Sequence, residues 1–372
     1  MMKAVLNLSR IVVGVLFIFS GLIKANDPLG LSYKMQEFFE VWHWTFLDEY
    51  TLVFSVLMIV FEILAGVAVL LGWKMNLFSW LLLLLILFFT FLTGYALFSG
   101  KVRECGCFGD CIPLQASQSF LKDLILLALI LVIFLLRDKI RPLVKPVTAI
   151  LLLFIATVFS FAIQGYVLKH LPLVDCLPYK IGNNLLEKMK APPGSVPDST
   201  VILFTYVKNG KQSSFTTENF PADFDDQYQF VKREDKLVRK GTFAAAIHDF
   251  ALQTAEGADS TLTILKQSGF KLFLFIKDQN DTGPWGALMK EIIGEASKKN
   301  IKGYIITNLE IGNNSSLEMN FPQMKPLRAD GTAIKTAARF NPTLFLLKNG
   351  TVVNKWSAAD MDKALLMISR LP

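Results

Sequence analysis

The chain divides by its hydrophobic rhythm. Five apolar stretches, Leu6–Ile23, Leu52–Leu71, Leu77–Phe98, Phe120–Leu136 and Val147–Gly165, are nearly free of charge. Each approaches the ~20 residues that carry a helix across ~30 Å of hydrocarbon, where backbone polar groups find no water and must pair within the segment. Five membrane-spanning helices are predicted. Beyond Gly165 the hydropathy falls, and Lys169–Pro197 reads as a connector rich in Pro and Gly that ends in Ala191-Pro192-Pro193-Gly194. From Val201 to Arg239, short alternating runs (Val201–Tyr206, Tyr228–Val231, Lys236–Val238) are broken by turn signals such as Asn209-Gly210, a pattern of β-hairpins. From Ile247 onward the pattern predicts a buried strand at Lys271–Ile276, a helix at Gly286–Lys299 and a strand at Lys302–Thr307. A strand at Thr343–Leu347 then turns through Lys348-Asn349-Gly350 into Thr351–Val353, and a helix follows at about Met361–Arg370.

Composition adds that 52% hydrophobic residues, 31 of them Phe, with 19% charged are too apolar for a water-soluble chain of 372 residues. The net charge of +7 lies mostly on the segments flanking the apolar runs. It therefore speaks to topology and not to nucleic acid, for which no motif is present. Lys3 and Arg10, Lys74, and Arg137, Lys139, Arg141 and Lys145 mark the cytoplasmic ends. Alternation then puts the loop Asp27–Tyr50, the loop Ser99–Ser119 and everything after Gly165 on the periplasmic side of a bacterial inner membrane. The first span reads as an anchor and not a cleaved signal, since Arg10 lies inside it and Lys24-Ala25-Asn26-Asp27 is a poor cleavage site. The expected units are a four-helix membrane domain over 1–138, a fifth helix within 139–168, a connector over 169–198, hairpins over 199–246 and an α/β domain over 247–372.

Three cysteines fall within seven positions in Glu104-Cys105-Gly106-Cys107-Phe108-Gly109-Asp110-Cys111. A disulfide across the single Gly106 would be strained and easily reduced, hence a good oxidant, and Lys101 and Arg103 would favour thiolate. Cys105 and Cys107 are the candidate redox pair. Cys111 and Cys176, on the same side of the membrane, are a structural or resolving pair, worth ~4 kcal/mol as a loop closure. In the opposing reading all four cysteines merely staple loops. Glu62, ten residues into the second apolar run, is costly unless paired, and Arg10 or Lys24 can supply the partner. Either a structural ion pair or a proton relay fits. The loop Leu29–Tyr50 interleaves Tyr33, Phe38, Phe39, Trp42, Trp44, Phe46 and Tyr50 with Lys34, Glu37, Glu40 and Asp48, as in a headgroup-level anchor or a quinone- or partner-binding surface. His43, His170 and His248 are scattered, so no metal site is expected.

Two resemblances follow from these residues. The strand, helix, strand, hairpin and final helix after Ile247, with Asn341-Pro342-Thr343 opening the hairpin, resemble a thioredoxin-like fold in which Pro342 is the cis-proline. Asp249-Phe250-Ala251-Leu252, Gly257 and Thr261-Leu262 resemble the opening of TlpA-like and peroxiredoxin-like domains. Where those families carry Cys-x-x-Cys, this chain reads Lys277-Asp278-Gln279-Asn280-Asp281-Thr282-Gly283-Pro284-Trp285, which implies a redox-inert domain that docks a partner or peptide. Arg10, Gly14, Phe17, Ser20-Gly21, Lys24, Asp27-Pro28, Glu62, Gly66, Gly72, Cys105–Gly109 and Lys122-Asp123 together resemble the DoxX and MauE families of membrane proteins. Asp175–Gly182 is similar to the linker of the Bacteroidetes type. The MauE resemblance implies an envelope factor that helps a substrate enzyme form disulfides. The bundle is also similar to those of VKOR and DsbB, which implies quinone as a cofactor.

Two functions compete on this reading. One is a thiol-disulfide oxidoreductase in the lipid bilayer whose Cys105 and Cys107 act on a periplasmic client protein with thiols. The other is a non-catalytic membrane scaffold whose thioredoxin-like domain binds a periplasmic partner.

Overall fold

The structure is a computed structural model that describes residues 2–372 except 101, 103–105, 107, 196–198, 209, 210, 217, 218, 222, 223, 226, 240–244, 249, 278–282 and 312–318. The expected turn at Asn209-Gly210, the pair Cys105 and Cys107 with Lys101 and Arg103, Asp249 and the stretch Asp278–Thr282 lie outside the described residues.

Five long apolar helices form the membrane half: α1 (Met2–Ala25), α3 (Thr51–Leu71), α4 (Met75–Ser99), α5 (Ala116–Leu135) and α6 (Pro146–Val167). Between α1 and α3 lies the shorter α2 (Pro28–Val41), whose N-cap Asp27 accepts the Gly30 amide at 3.0 Å and whose first position is Pro28, as helix starts favour. Rows such as Leu8, Ile11, Val15 and Phe19 point outward, as expected where lipid is the solvent. Inward, Val13, Phe17, Ala65, Leu82, Ile86 and Ile130 form the bundle core. α1 and α3 cross at Gly14 and Gly66, where a Cβ on Gly66 would stand 2.8 Å from the Gly14 carbonyl oxygen. Only small residues allow that approach. α4 packs along α5, and α6 lies against α3.

The soluble half begins with a three-stranded antiparallel sheet, β1 (Ser199–Lys208), β2 (Lys211–Thr216) and β3 (Gln229–Arg239), in the order β2-β1-β3. The two separate runs expected at Tyr228–Val231 and Lys236–Val238 are one strand, β3. A five-stranded sheet follows: β4 (Phe270–Ile276), β5 (Lys302–Thr307), β6 (Met324–Arg328), β7 (Thr343–Lys348) and β8 (Thr351–Ser357), ordered β6-β5-β4-β7-β8. β4, β5 and β6 are parallel, β7 runs antiparallel to β4, and β8 closes the hairpin. Along β4, Phe273 and Phe275 enter one core and Leu272, Leu274 and Ile276 the other, so both faces are dry and Leu272–Ile276 is continuously apolar, while the buried Lys271 at its start donates to the Gln267 carbonyl. α7 (Gly283–Lys298) and α9 (Met361–Ser369) cover the second face. With Asn341-Pro342 in the cis form ahead of β7, this is a thioredoxin-like fold.

Three features depart from the sequence pattern. β6 and the short α8 (Gly331–Ala337) were not legible: Met324-Lys325-Pro326-Leu327-Arg328 reads polar, and Pro326 is tolerated because β6 is an edge strand. The segment read as connector contributes Tyr179 and Leu185 to the domain core, and Asn183 and Asn184 run beside β8. Finally, Tyr33 belongs to the contact between the two halves, as follows.

Candidate functional site

The cysteine loop runs from the left-handed Gly100 that stops α4 to the start of α5. Val102 anchors it in a small apolar cluster with Phe38 and Ala96. Gly106 rests on Lys34 of α2, where a Cβ would stand 3.1 Å from the lysine stem at φ +64. A side chain there would meet both strain and α2. Phe108 packs 6.1 Å from Phe19 and takes the Lys122 ammonium over its ring at 4.8 Å. Cys111 and Cys176 form a disulfide that ties the loop to the segment after α6. Cys105 and Cys107 lie outside the described residues, on either side of Gly106 in the chain.

Beneath the loop the bundle interior is polar. Lys24 donates to both oxygens of Glu62, at 3.0 and 2.8 Å, and Ser20 donates to Oε1 at 2.8 Å. Across a cavity of about 20 Å³, Asp123 accepts from Thr93 at 3.0 Å and lies 2.9 Å from Lys122. Arg10 does not join Glu62. It sits near the opposite end of α1, roughly 21 Å from Lys24 at 1.5 Å per residue, and donates to the Val69 and Leu70 carbonyls that end α3. Val69 also accepts the Gly72 amide at 3.2 Å, and the arginine adds further donors at this helix end, with its charge toward the negative end of the dipole.

α3 and α4 meet at their short turn near Gly72 and part toward the cysteine loop. The gap is a crevice of about 460 Å³ walled by apolar and aromatic side chains, among them Phe54, Phe61, Phe88 and Leu92, and roofed by Phe38 and Trp42 of α2. Its polar borders are Lys24 and Lys34, with Gly106 between loop and cavity.

The thioredoxin-like domain covers the loop from outside. Arg339, two residues before the cis bond, donates from Nε to Asp27 at 2.8 Å and from Nη2 to Asp110 in the cysteine loop. Burial opposes its charge, but the two carboxylates outweigh burial and raise its pKa above the ordinary arginine value. Lys277, at the end of β4 where related domains place their thiol motif, donates to the Tyr33 hydroxyl at 3.0 Å and to the carbonyls of Ala338 and Arg339. Three acceptors suit the ammonium form, whereas burial and the charges of Arg339 and Lys335 oppose it. The second set prevails and brings Lys277 down to about 7. Burial pushes Tyr33 up to about 12 against the pull of Arg339. Lys335 donates to Gln36 at 3.2 Å, Lys355 to Asp175 at 2.8 Å, and His170 lies 2.8 Å from Asp360. The face that carries chemistry in thioredoxin-like proteins is thus seated on α2 and the cysteine loop.

Sequence reasoning missed Arg339, Asp27, Asp110, Tyr33 and Lys277 as a group, since nothing local links residues up to 312 apart. It also passed over Asp123 as a charge inside α5, although the argument that singled out Glu62 applies to it equally. Among the described residues no group of His, Cys, Asp and Glu has metal-binding geometry.

Residues 2–137 match the family model of methylamine utilisation protein MauE, and residues 200–240 match a family described as a domain of unknown function. No curated protein matches the chain. Among solved structures, one from a study of a disulfide switch in BsSco, a member of the Sco family of cytochrome c oxidase assembly proteins, is similar at 16% identity, over 33% of this chain and 90% of that one, with a TM-score of 0.26. So loose a likeness leaves the assignment of the soluble fold to its strand order.

Proposed function

We propose that this chain, MauE-like over residues 2–137 and thioredoxin-like in its C-terminal domain, is an inner-membrane thiol-disulfide redox protein. Cys105 and Cys107 take electrons from the cysteines of a periplasmic client and pass them to a lipid-soluble quinone. The exchange balances: a client dithiol becomes a disulfide while the Cys105–Cys107 disulfide is reduced. The protein dithiol then returns to the disulfide as two electrons and two protons convert the quinone to quinol. The observation that carries this reading is Gly106, which joins the two cysteines in the chain and lines the apolar crevice between α3 and α4. Gly106 thus borders a cavity of about 460 Å³, within the 300–1,000 Å³ range of small-molecule sites, whose lining is mostly apolar, as a quinone would require.

The topology belongs to the same proposal, with Met2 cytoplasmic and the thioredoxin-like domain periplasmic. The test is trapping. With Cys107→Ser in intact membranes, Cys105 should capture a defined periplasmic protein as a mixed disulfide, and an impermeant maleimide should label the reduced pair from outside. No adduct, together with normally oxidised clients in the double Cys105/Cys107 variant, would favour the scaffold reading instead.

A further inference from the structure

Lys24 borders two spaces at once. Its side chain lines the crevice and also the small cavity on its other side, with Ser20, Glu62, Lys122 and Asp123. That cavity, about 20 Å³, has room for one water, which needs roughly 10–15 Å³ and two to four polar partners. The polar atoms come from four helices: Lys24 and Ser20 on α1, Glu62 on α3, Thr93 on α4 behind Asp123, and Lys122 and Asp123 on α5. Asp123 is 1% exposed. Its Oδ2 accepts from Thr93, and its Oδ1 is ion-paired with the Lys122 ammonium 2.9 Å away without a well-directed hydrogen bond. An ion-paired carboxylate beside a water-sized space inside a membrane bundle has its charge met, and a water in that space would complete its hydrogen bonding. Phe108, next to Cys107 in the chain, lines this cavity and lies over Lys122.

Resting on the redox reading above, we infer that Asp123, one buried water and the Glu62–Lys24 pair carry protons from beneath the cysteine loop to the acceptor in the crevice. Oxidising two thiols releases two protons, and a quinone reduced in the crevice needs one on each ring oxygen. Among the described residues lining both the small cavity and the crevice, Lys24 is the one that can carry a proton. It donates to the reduced quinone and is reprotonated by Glu62, which exchanges through the water with Asp123. Such a relay also explains why two lysine–carboxylate pairs face each other where apolar packing would hold the helices as well.

The test uses the full chain in lipid nanodiscs, reduced with a dithiol, freed of reductant and mixed with decyl-ubiquinone in a single turnover. Quinone absorbance is followed across pH 5–9 in H2O and D2O. Asp123→Asn, nearly isosteric, should slow quinol formation by about 100-fold, the scale of a lost proton-transfer group, and change the pH profile and solvent isotope effect. Its thiol count and melting temperature should stay near those of the parent. Thr93→Val keeps every charge and frees Asp123 from its one hydrogen bond, so it should slow the step less but shift the pH profile in the same direction. Parent rates, profiles and isotope effects in both variants would overturn the relay while leaving the redox reading intact. Failure of the unsubstituted, fully reduced protein to form quinol would remove the redox reading, and the relay with it.

Discussion

The two halves of the chain bury charge in opposite places. The bundle holds Lys24, Glu62 and Asp123 at its centre, whereas the thioredoxin-like domain packs apolar side chains on both sides of Leu272–Ile276, keeps the buried Lys271 at the start of that strand against the Gln267 carbonyl, and holds Arg339 and Lys355 at the face toward the bundle. In water, the hydrophobic effect rewards a dry core, and charge belongs at the edge. In lipid that reward between helices vanishes, and polar contacts and close packing take over. Yet the bundle already has close packing at Gly14 and Gly66. Its central charges are therefore more than adhesive, while the soluble domain's charges serve mainly to seat one half on the other.

Removing Lys24 should sharpen this contrast most. Lys24→Met leaves Glu62 charged and unpaired, a loss of roughly 3–5 kcal/mol, read from thermal melts in detergent. The double variant Lys24→Met/Glu62→Leu should recover most of it, and by the relay above should still transfer protons poorly. Phe345→Ala in the dry core should cost a similar 3–5 kcal/mol, with no charge removal that restores it. A double variant as unstable as the single one would mean that the pair holds the bundle together.

The Cys111–Cys176 bridge couples the halves covalently across 65 residues. Cys176→Ser should lower stability by about 4 kcal/mol on the chain-entropy account, visible as earlier melting of the soluble domain and greater proteolysis after α6. Arg339→Gln should follow, at about 2 kcal/mol or more, because it strands Asp27 and Asp110 in the contact. Hydrogen exchange should rise in α2 and the cysteine loop while β4 stays protected. Equal loss of protection in β4 would mean that Arg339 supports the domain itself and not its seat.

What the sequence made legible follows from whether a signal is local. Spans and buried strands declare themselves within ten or twenty residues, as Leu77–Phe98 and Lys271–Ile276 do. β6 did not, because an edge strand tolerates the very Pro326 and charges that argue against a strand. Glu62 stood out by its cost in an apolar run, but its depth along the bundle is set by packing, so Arg10 and Lys24 were equal partners on paper and lie at opposite ends of α1 in space. Tyr33 read as one aromatic of a membrane belt. Its partners Lys277, Lys335 and Arg339 arrive from 244 residues or more away, and no periodicity announces them.

Taken per pH unit, the smallest effect should be the seat's response to pH. Lys277 is held at about 7 when seated, against ~10.4 for a free lysine. A depressed lysine favours the separated state once that state binds the proton. Going down in pH, the contact should therefore weaken from about 10 to about 7, by at most tenfold per unit, and then level off below 7. Tyr33 does not blur this window, because its seated value of about 12 affects the balance only above its free value of ~10. Fluorescence transfer between probes at Ser213 and Ser99 should report tighter seating at pH 9 than at pH 7. Lys277→Met, which keeps the stem and removes the proton, should flatten that dependence. If the methionine variant kept the full slope, another group in the contact would be titrating, and the neighbours of Lys355 and His170 would be the next to replace.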